Sequence, residues 1–462
     1  MSSTIPSPAV TPQDAATSAP GAGHAARATD APAAARADAP TDAPADAPVA
    51  LGSAPGLLGL ATLMRLAFDR ADLVPISKAL IARASRDESD ADALMDLATL
   101  LQLQGIADLG LATLMQALAV CRVYELPAAR QPALRLLALM APGELMANAP
   151  LPFLFEGGDI SLTMLYLLPG EPVPAELPPH DAIFIAISES DANRPLLDKL
   201  ARASAAWTAP VINRPGRVAL TARDRACELL ADVEGVRMPA TARAPRAALQ
   251  AIAAGRADLA RLLPDGPWPL IVRPVDSHAG HDLERIADAA ALDRYLAAHE
   301  QREFFIARFI DYRGRDGLFR KYRVVLIDGI PHAGHMAISA DWMIHYLNAG
   351  MTDSEAKRAE EAAFMRDFDA DFAQRHRVAL HAIGQRFGLD WLVIDCAETA
   401  TGDLLVFEVD PGAVVHSMDP PDLFPYKREP MQRVFSAFRA LLARRIDQAA
   451  RRQEPRHVHR AA

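Results

Sequence analysis

Between Gly56 and about Met146, apolar residues return every three or four positions, in LLGLATLMRLAF, LVPISKALIARAS, ADALMDLATLLQLQG and ADLGLATLMQALAVCRVY. That spacing lines them up on one helix face and predicts three or four amphipathic helices. After Pro150 the pattern changes. Short β-branched and aromatic runs, ISLTMLYLL, DAIFIAIS and APVIN, alternate with the helical NRPLLDKLARASAA, as in an α/β unit with a parallel sheet. From Trp268 onward come the strands PLIVRPV, EFFIARFI, YRVVLIDG, LDWLVIDCAE and DLLVFEVD, with helices at ALDRYLAAH and EEAAFMRDFDADFAQRHRVALHAIGQRFG. The predicted class is α/β, preceded by a small all-α module.

Composition alters this picture at the ends. Residues 1 to about 54 are mostly Ala, Pro, Asp, Thr and Ser, closing in ADAPTDAPADAPVA. Such a segment buries too little surface to offset its ordering entropy, so a disordered tail is predicted over 1–54. The basic end, 446–462, is expected to fray. The 462 residues exceed the usual limit of one core. The pattern divides them into helical residues 55–148, an α/β unit over 149–212 and a larger unit over 213–445. A net charge of -10 argues against holding a nucleic acid by its phosphates. Cys121, Cys227 and Cys396 stand far apart without a CxxC pair, which excludes a disulfide framework and a structural zinc site and fits a reducing cytoplasm. The N-terminus MSSTIPSPAV has no basic start followed by an apolar run, and no later stretch is apolar enough to span a bilayer, so neither export nor membrane insertion is expected.

The string LATLM or LATLL begins at Leu60, Leu97 and Leu111. DADALMDLATLLQLQGIADLGLATLMQALAV resembles a tetratricopeptide repeat, with too few copies to form a solenoid. That resemblance implies a groove for a peptide or protein partner. A helical cap on the rest of the chain, or a homodimer contact, is the alternative.

Chemistry concentrates in Leu389 to Pro411, LDWLVIDCAETATGDLLVFEVDP. Two alternating strands flank a turn at Ala400 to Asp403, and a hairpin with Thr399 opposite Leu404 sets Asp395 across from Glu408. Asp410 lies two residues on and shares the face of Glu408. Three converging carboxylates repel unless a cation sits among them, and oxygen-only ligands select Mg²⁺ or Mn²⁺. Strand carboxylates that merely face solvent are the competing account. In PLIVRPVDSHAGHDLERI a buried strand delivers Arg273 and then Ser277, His278 and Gly280, a small loop able to close over phosphates.

Followed by a strand with a hinge at Phe305 to Ile310 and then by the carboxylate hairpin, this order resembles the ATP-grasp superfamily, in the branch of ribosomal-protein glutamate ligases and glutathione synthetases. The resemblance spans roughly 150–445. It implies an ATP-grasp core of two α+β lobes behind an α/β pre-domain, with ATP and Mg²⁺ (or Mn²⁺) as cofactors. VINRPGRVALTARDRACELL resembles the family's entry segment, with Asn213 and Pro215 as its Asn-Pro pair and Arg225 at its nucleotide-binding Lys. KYRVVLIDGIPHAGHMAIS resembles the strand pair that brings an Arg to the γ-phosphate, here Arg323, with His335 facing the same way. NAGM, with Asn348, resembles a phrase ahead of the metal strands. Arg225, Arg273, Ser277, His278, Gly280, Phe305, Ile306, Arg308 and Phe309 are thereby implied in nucleotide binding, Arg323, Asn348 and His335 in catalysis, and Asp395, Glu408 and Asp410 in holding metal. Two departures stand out: Arg replaces both nucleotide lysines, and Asp410 replaces an Asn, which retains an oxygen ligand and adds charge.

The implied reaction is ATP-dependent joining of a carboxylate to an amine through an acyl phosphate, with an amino acid, peptide or protein as substrate. A kinase that stops at phosphoryl transfer and a nucleotide sensor that binds a partner through its helices are the alternatives. His416, just beyond the metal strand, falls where the acceptor lies in this family.

Overall fold

The chain's structure is a computed structural model that describes residues 51–264, 268–277 and 280–453. The expected tails at 1–50 and 454–462 lie outside the described residues. At the inner edges of both, backbone is already helical. Residues 51–53 are helical, with Leu51 packed against the first helices, and the last helix runs Arg428–Gln453.

Four helices open the fold: α1 Leu60–Phe68, α2 Val74–Arg86, α3 Ala91–Leu103 and α4 Ala107–Val120. Leu63, Ile76, Leu80, Ala93 and Leu100 form a small core among the first three. Burying each of the larger side chains contributes about 1.5–3 kcal/mol. The opposite faces of α3 and α4, with Met95, Ala98, Leu114 and Leu118, join the main core. The chain then enters β1 Val123–Leu126 and β2 Leu134–Met140, followed by β3 Ile160–Tyr166, β4 Ala182–Ile185, α5 Arg194–Ala203 and β5 Val211–Ile212. These strands make one sheet in the order β1-β3-β2-β4-β5, parallel except at β1.

The α/β class is what forms, with one correction to the reading above. LRLLALM, taken there with the helices, is β2. A strand buried on both faces loses its alternation, and Leu, Ala and Met carry no strand preference to mark it.

Next come α6 Arg223–Leu230, β6 Val236–Arg237, β7 Thr241–Pro245, α7 Arg246–Ala253, β8 Leu270–Pro274, β9 Glu284–Ile286, α8 Ala289–Ala298 and β10 Glu303–Arg308. Strands β7, β10, β8 and β9 form an antiparallel sheet on which α7 and α8 pack, around Leu249, Leu292, Tyr295, Phe304 and Ile306. The third sheet takes β11 Phe319–Ile327, β12 Ile330–Ser339, β13 Trp391–Glu398 and β14 Leu404–Asp410 in the order β12-β11-β13-β14-β6. It is backed by α9 Glu355–Asp367, α10 Arg377–Phe387 and α11 Arg428–Gln453. No helix among the described residues is long and apolar enough to cross a membrane.

Asn213 joins the first sheet to the third. Its side chain donates to the Trp391 carbonyl and accepts from the Trp391 N–H, both at 2.9 Å, and its backbone holds φ at 56°. Asn tolerates that left-handed conformation where most residues do not. Asn213→Ala is expected to cost about 2–4 kcal/mol, from two buried backbone groups left unpaired plus a strained φ. Asn213→Gly, free of the strain, should lose about 1 kcal/mol less. Denaturant midpoints of the two variants measure the difference.

Candidate active site

A cavity of about 630 Å³ is walled by β7, β8 and β10 of the second sheet and by β11 to β14 of the third. On the third sheet, Asp395 and Glu408 are direct cross-strand partners. The register at the turn is one residue from that expected: Leu404 faces Glu398 rather than Thr399, and an irregularity next to Asp395 leaves Phe407 unpaired and restores the match. A bulge of this kind bends a strand and re-aims its side chains.

The three carboxylates are not left to repel one another. Asp395 is 5% exposed and is paired with Lys321 Nζ and Arg323 Nε, each at 2.7 Å. Burial pushes its carboxyl up, but Arg323 and Lys321 outweigh this and hold it well below the usual carboxylate range. Glu408 accepts from the Arg223 guanidinium. Burial opposes its ionisation, while Arg223 and Arg273 bring it below its ordinary value. Asp410 has no such cation against it. Burial and the neighbouring Glu408 push it up to about 7, against a 2.7 Å hydrogen bond from the Gly412 N–H. Among the described residues, no group of three or more His, Cys, Asp or Glu side chains is placed to hold a metal ion. Of the expected trio, Asp395 is paired with the chain's own cations, and Glu408 and Asp410 are neighbouring oxygen donors.

Arg273 is 8% exposed on β8 and reaches Ser277, donating to its Oγ at 3.0 Å and also to its carbonyl. Burial, with Arg223 beside it, pushes its guanidinium down to about 9, so it remains a cation at neutral pH. Gly280 lines the cavity at φ 76°, with Met343 so near that a side chain there would crowd its sulfur. His278 lies outside the described residues. Phe305, Ile306, Arg308 and Phe309 all line the cavity. The Ile306 side chain is fully buried in the second sheet's core, whereas Phe309 is held at the wall by Arg285 at 4.3 Å and Trp342 at 5.6 Å.

His335 is the cross-strand partner of Arg323, and its ring lies 4.7 Å from Tyr346. Burial and the Arg323 charge keep the imidazole neutral, and its Nδ1 is buried without a hydrogen-bond partner. Gly334 next to it permits this close pairing, since a Cβ there would meet the Arg323 carbonyl at 2.9 Å.

Three implied residues do not line the cavity: Arg225, Asn348 and Ser277, the last of which is reached by Arg273. Arg225 is exposed on α6, while Arg223, two residues earlier on that helix, faces Glu408. Two positions along a helix turn a side chain through about 200°. Asn348 is exposed and its Oδ1 accepts the His345 N–H at 3.0 Å, closing a short turn. Sequence alone leaves out Lys321, although its place two residues before Arg323 on one strand was a signal that both share a face. It also leaves out Lys427, which lines the cavity and is paired with Glu361 at 3.1 Å and Asp419 at 3.0 Å.

The sequence matches no family model and resembles no curated protein. Solved structures similar to this chain include the RimK domain protein ATP-grasp from Sphaerobacter thermophilus, at 16% identity, covering 67% of this chain and 99% of that one with a TM-score of 0.38. The VanG D-Ala:D-Ser ligase from Enterococcus faecalis is 14% identical over 68% of this chain and 100% of that one, with a TM-score of 0.42. The D-alanine-D-alanine ligase from Coxiella burnetii is 11% identical over 69% of this chain and 97% of that one, with a TM-score of 0.43.

Proposed function

We propose that the chain is an ATP-dependent carboxylate–amine ligase. One observation carries the reading: Arg223, Arg273, Lys321 and Arg323 meet the carboxylates of β13 and β14 inside a largely apolar cavity. Cations fixed in a water-poor site stabilise charge on a migrating phosphoryl group, and exclusion of water spares a reactive acyl phosphate. Arg273 and Arg223 would neutralise phosphates, and the Phe305–Ile310 wall would receive the base. The substrate carboxylate takes the γ-phosphoryl group and ADP leaves. The amine then attacks the acyl carbon, phosphate departs and the nitrogen loses a proton. No protein nucleophile is needed, and none of the three cysteines lines the cavity.

Glu408 and Asp410 suit a divalent cation, since the Arg323 and Arg223 charges that reach Asp410 do not offset its burial beside Glu408. Such a cation supplies charge to phosphate oxygens when bound. Because Asp410 is pushed up to about 7, it must shed a proton before it ligates. Apparent Mg²⁺ affinity is therefore expected to weaken as pH falls through the raised Asp410 pKa and to level off above it. Calorimetry in buffers of different ionisation heat should find proton release at low pH, and Asp410→Asn should abolish the dependence.

The ligase reading is tested with Mg·ATP and a panel of amino acids and peptides. Hydroxylamine should trap a hydroxamate only with the correct carboxylate, and one ADP and one phosphate should form per amide. A stable phosphorylated product without hydroxamate would identify a kinase, and nucleotide binding without turnover a sensor.

A further inference from the structure

The cavity wall is not made by the α/β units alone. Met64, Ala67 and Phe68 of α1 line it, with Leu103 at the end of α3. Ala61, Met64 and Phe68 recur at helical spacing, so one stripe of α1 faces this way while Leu63 is buried in the module's own core. The placement is fixed from three sides. The Asp96 carboxylate on α3 accepts the Leu58 and Gly59 N–H groups at 2.7 and 3.0 Å, just before α1 begins. Arg65 is paired at 2.6 Å with Glu156 of the α/β unit. Ala61 packs with Phe153 and Met418, and the Phe68 ring lies 5.9 Å from His416 in the segment that follows β14.

We infer that α1 of the helical module determines specificity, its Met64 and Phe68 forming, with Met418, a subsite for an apolar side chain on the substrate being ligated. The three residues that α1 gives the cavity carry no charge, and its one cation there, Arg65, is spent on Glu156. His416, at the border of this wall, is held neutral by burial. A charged side chain entering here would lose its hydration, and Asp419 and Lys427, which also line the cavity, are already paired with each other, whereas an aliphatic or aromatic one would replace water against Met64 and Phe68. Chemistry and specificity are thereby divided between the sheets and the module. The inference rests on the ligase reading for which molecule carries the side chain.

The test uses the full chain and two probe series, N-acetyl amino acids, which offer only a carboxylate, and amino-acid amides, which offer only an amine. Each contains Ala, Leu, Phe, Glu and Lys members, and binding is measured by calorimetry with a non-hydrolysable ATP analogue and Mg²⁺ present. In one series, the Leu or Phe member should bind at least about tenfold more tightly than the Ala, Glu and Lys members. Phe68→Ala should bring Leu and Ala within about threefold of each other, and Phe68→Leu should restore most of the gap, with melting curves showing that both variants fold. The series that responds says whether the acid or the amine lies against α1. Equal binding of Glu or Lys members, a selectivity untouched by Phe68→Ala, or no binding in either series overturns the inference. Apolar selectivity without ADP formation from any acid–amine pair would overturn the ligase reading and leave the subsite standing.

Discussion

Glu408→Gln should lower turnover by about a thousandfold or more while the protein stays folded. Glu408 stands opposite Asp395, accepts from Arg223 and is held ionised by Arg223 and Arg273. The amide keeps the shape but loses the charge that those cations and a bound Mg²⁺ would share. It also removes the main charge that raises Asp410, so the Asp410 pKa should fall from about 7 toward its ordinary value. Two measurements check this: ADP release at limiting Mg²⁺, and the pH dependence of Mg²⁺ binding. Activity within tenfold of the unaltered protein would remove Glu408 from the site.

Lys427→Met should be the most destabilising of the single changes considered, at about 3–5 kcal/mol. Lys427 is 5% exposed and Glu361 is fully buried. The ammonium is shared between Glu361 and Asp419, donates to the Tyr346 hydroxyl and lies over the rings of Tyr346 and Phe424 at 4.3 and 4.6 Å. Glu361 also accepts from the Tyr426 hydroxyl at 2.6 Å and the Met336 N–H at 3.1 Å. Removing the cation strands two carboxylates. Burial already pushes Glu361 up, and Lys427 is the largest influence against it, so the variant should raise that pKa further. A carboxyl whose folded pKa lies above its unfolded one keeps its proton in the native state. The unfolded state ionises first as pH rises, and stability falls between the two values. The deficit of Lys427→Met should thus shrink on acidification below neutral pH, and Glu361→Gln in the same chain should recover part of it. A deficit independent of pH would mean that lost packing, not stranded charge, is responsible.

How much of this was legible in the sequence follows from how local each signal is. The β13–β14 hairpin announces itself through alternation and its turn, and the pairing of Asp395 with Glu408 emerges even though the turn was read one residue off, because the bulge at Phe407 compensates. Arg273 was legible as the end of a buried strand. Arg225 was placed where Arg223 lies because helix phase depends on where α6 starts, and Ala222 before it gives no capping side chain to mark that start. Asn348 matched a phrase whose local use, closing a turn, is independent of the cavity. β2 was hidden by complete burial. That Met64 and Phe68 line the cavity could not be read, because they form an ordinary amphipathic stripe, and Met418 and His416, which they meet, lie near the other end of the chain.

That separation also sets an order of assembly. Phe68 is synthesised early and His416 late, so α1 can fold on α2 and α3 long before Met418 and His416 exist to meet it. Domains generally fold as units, from the N-terminus forward, during synthesis. Phe153 can cover one part of the α1 stripe early, whereas the part that meets Met418 and His416 is covered only after β14 has been made.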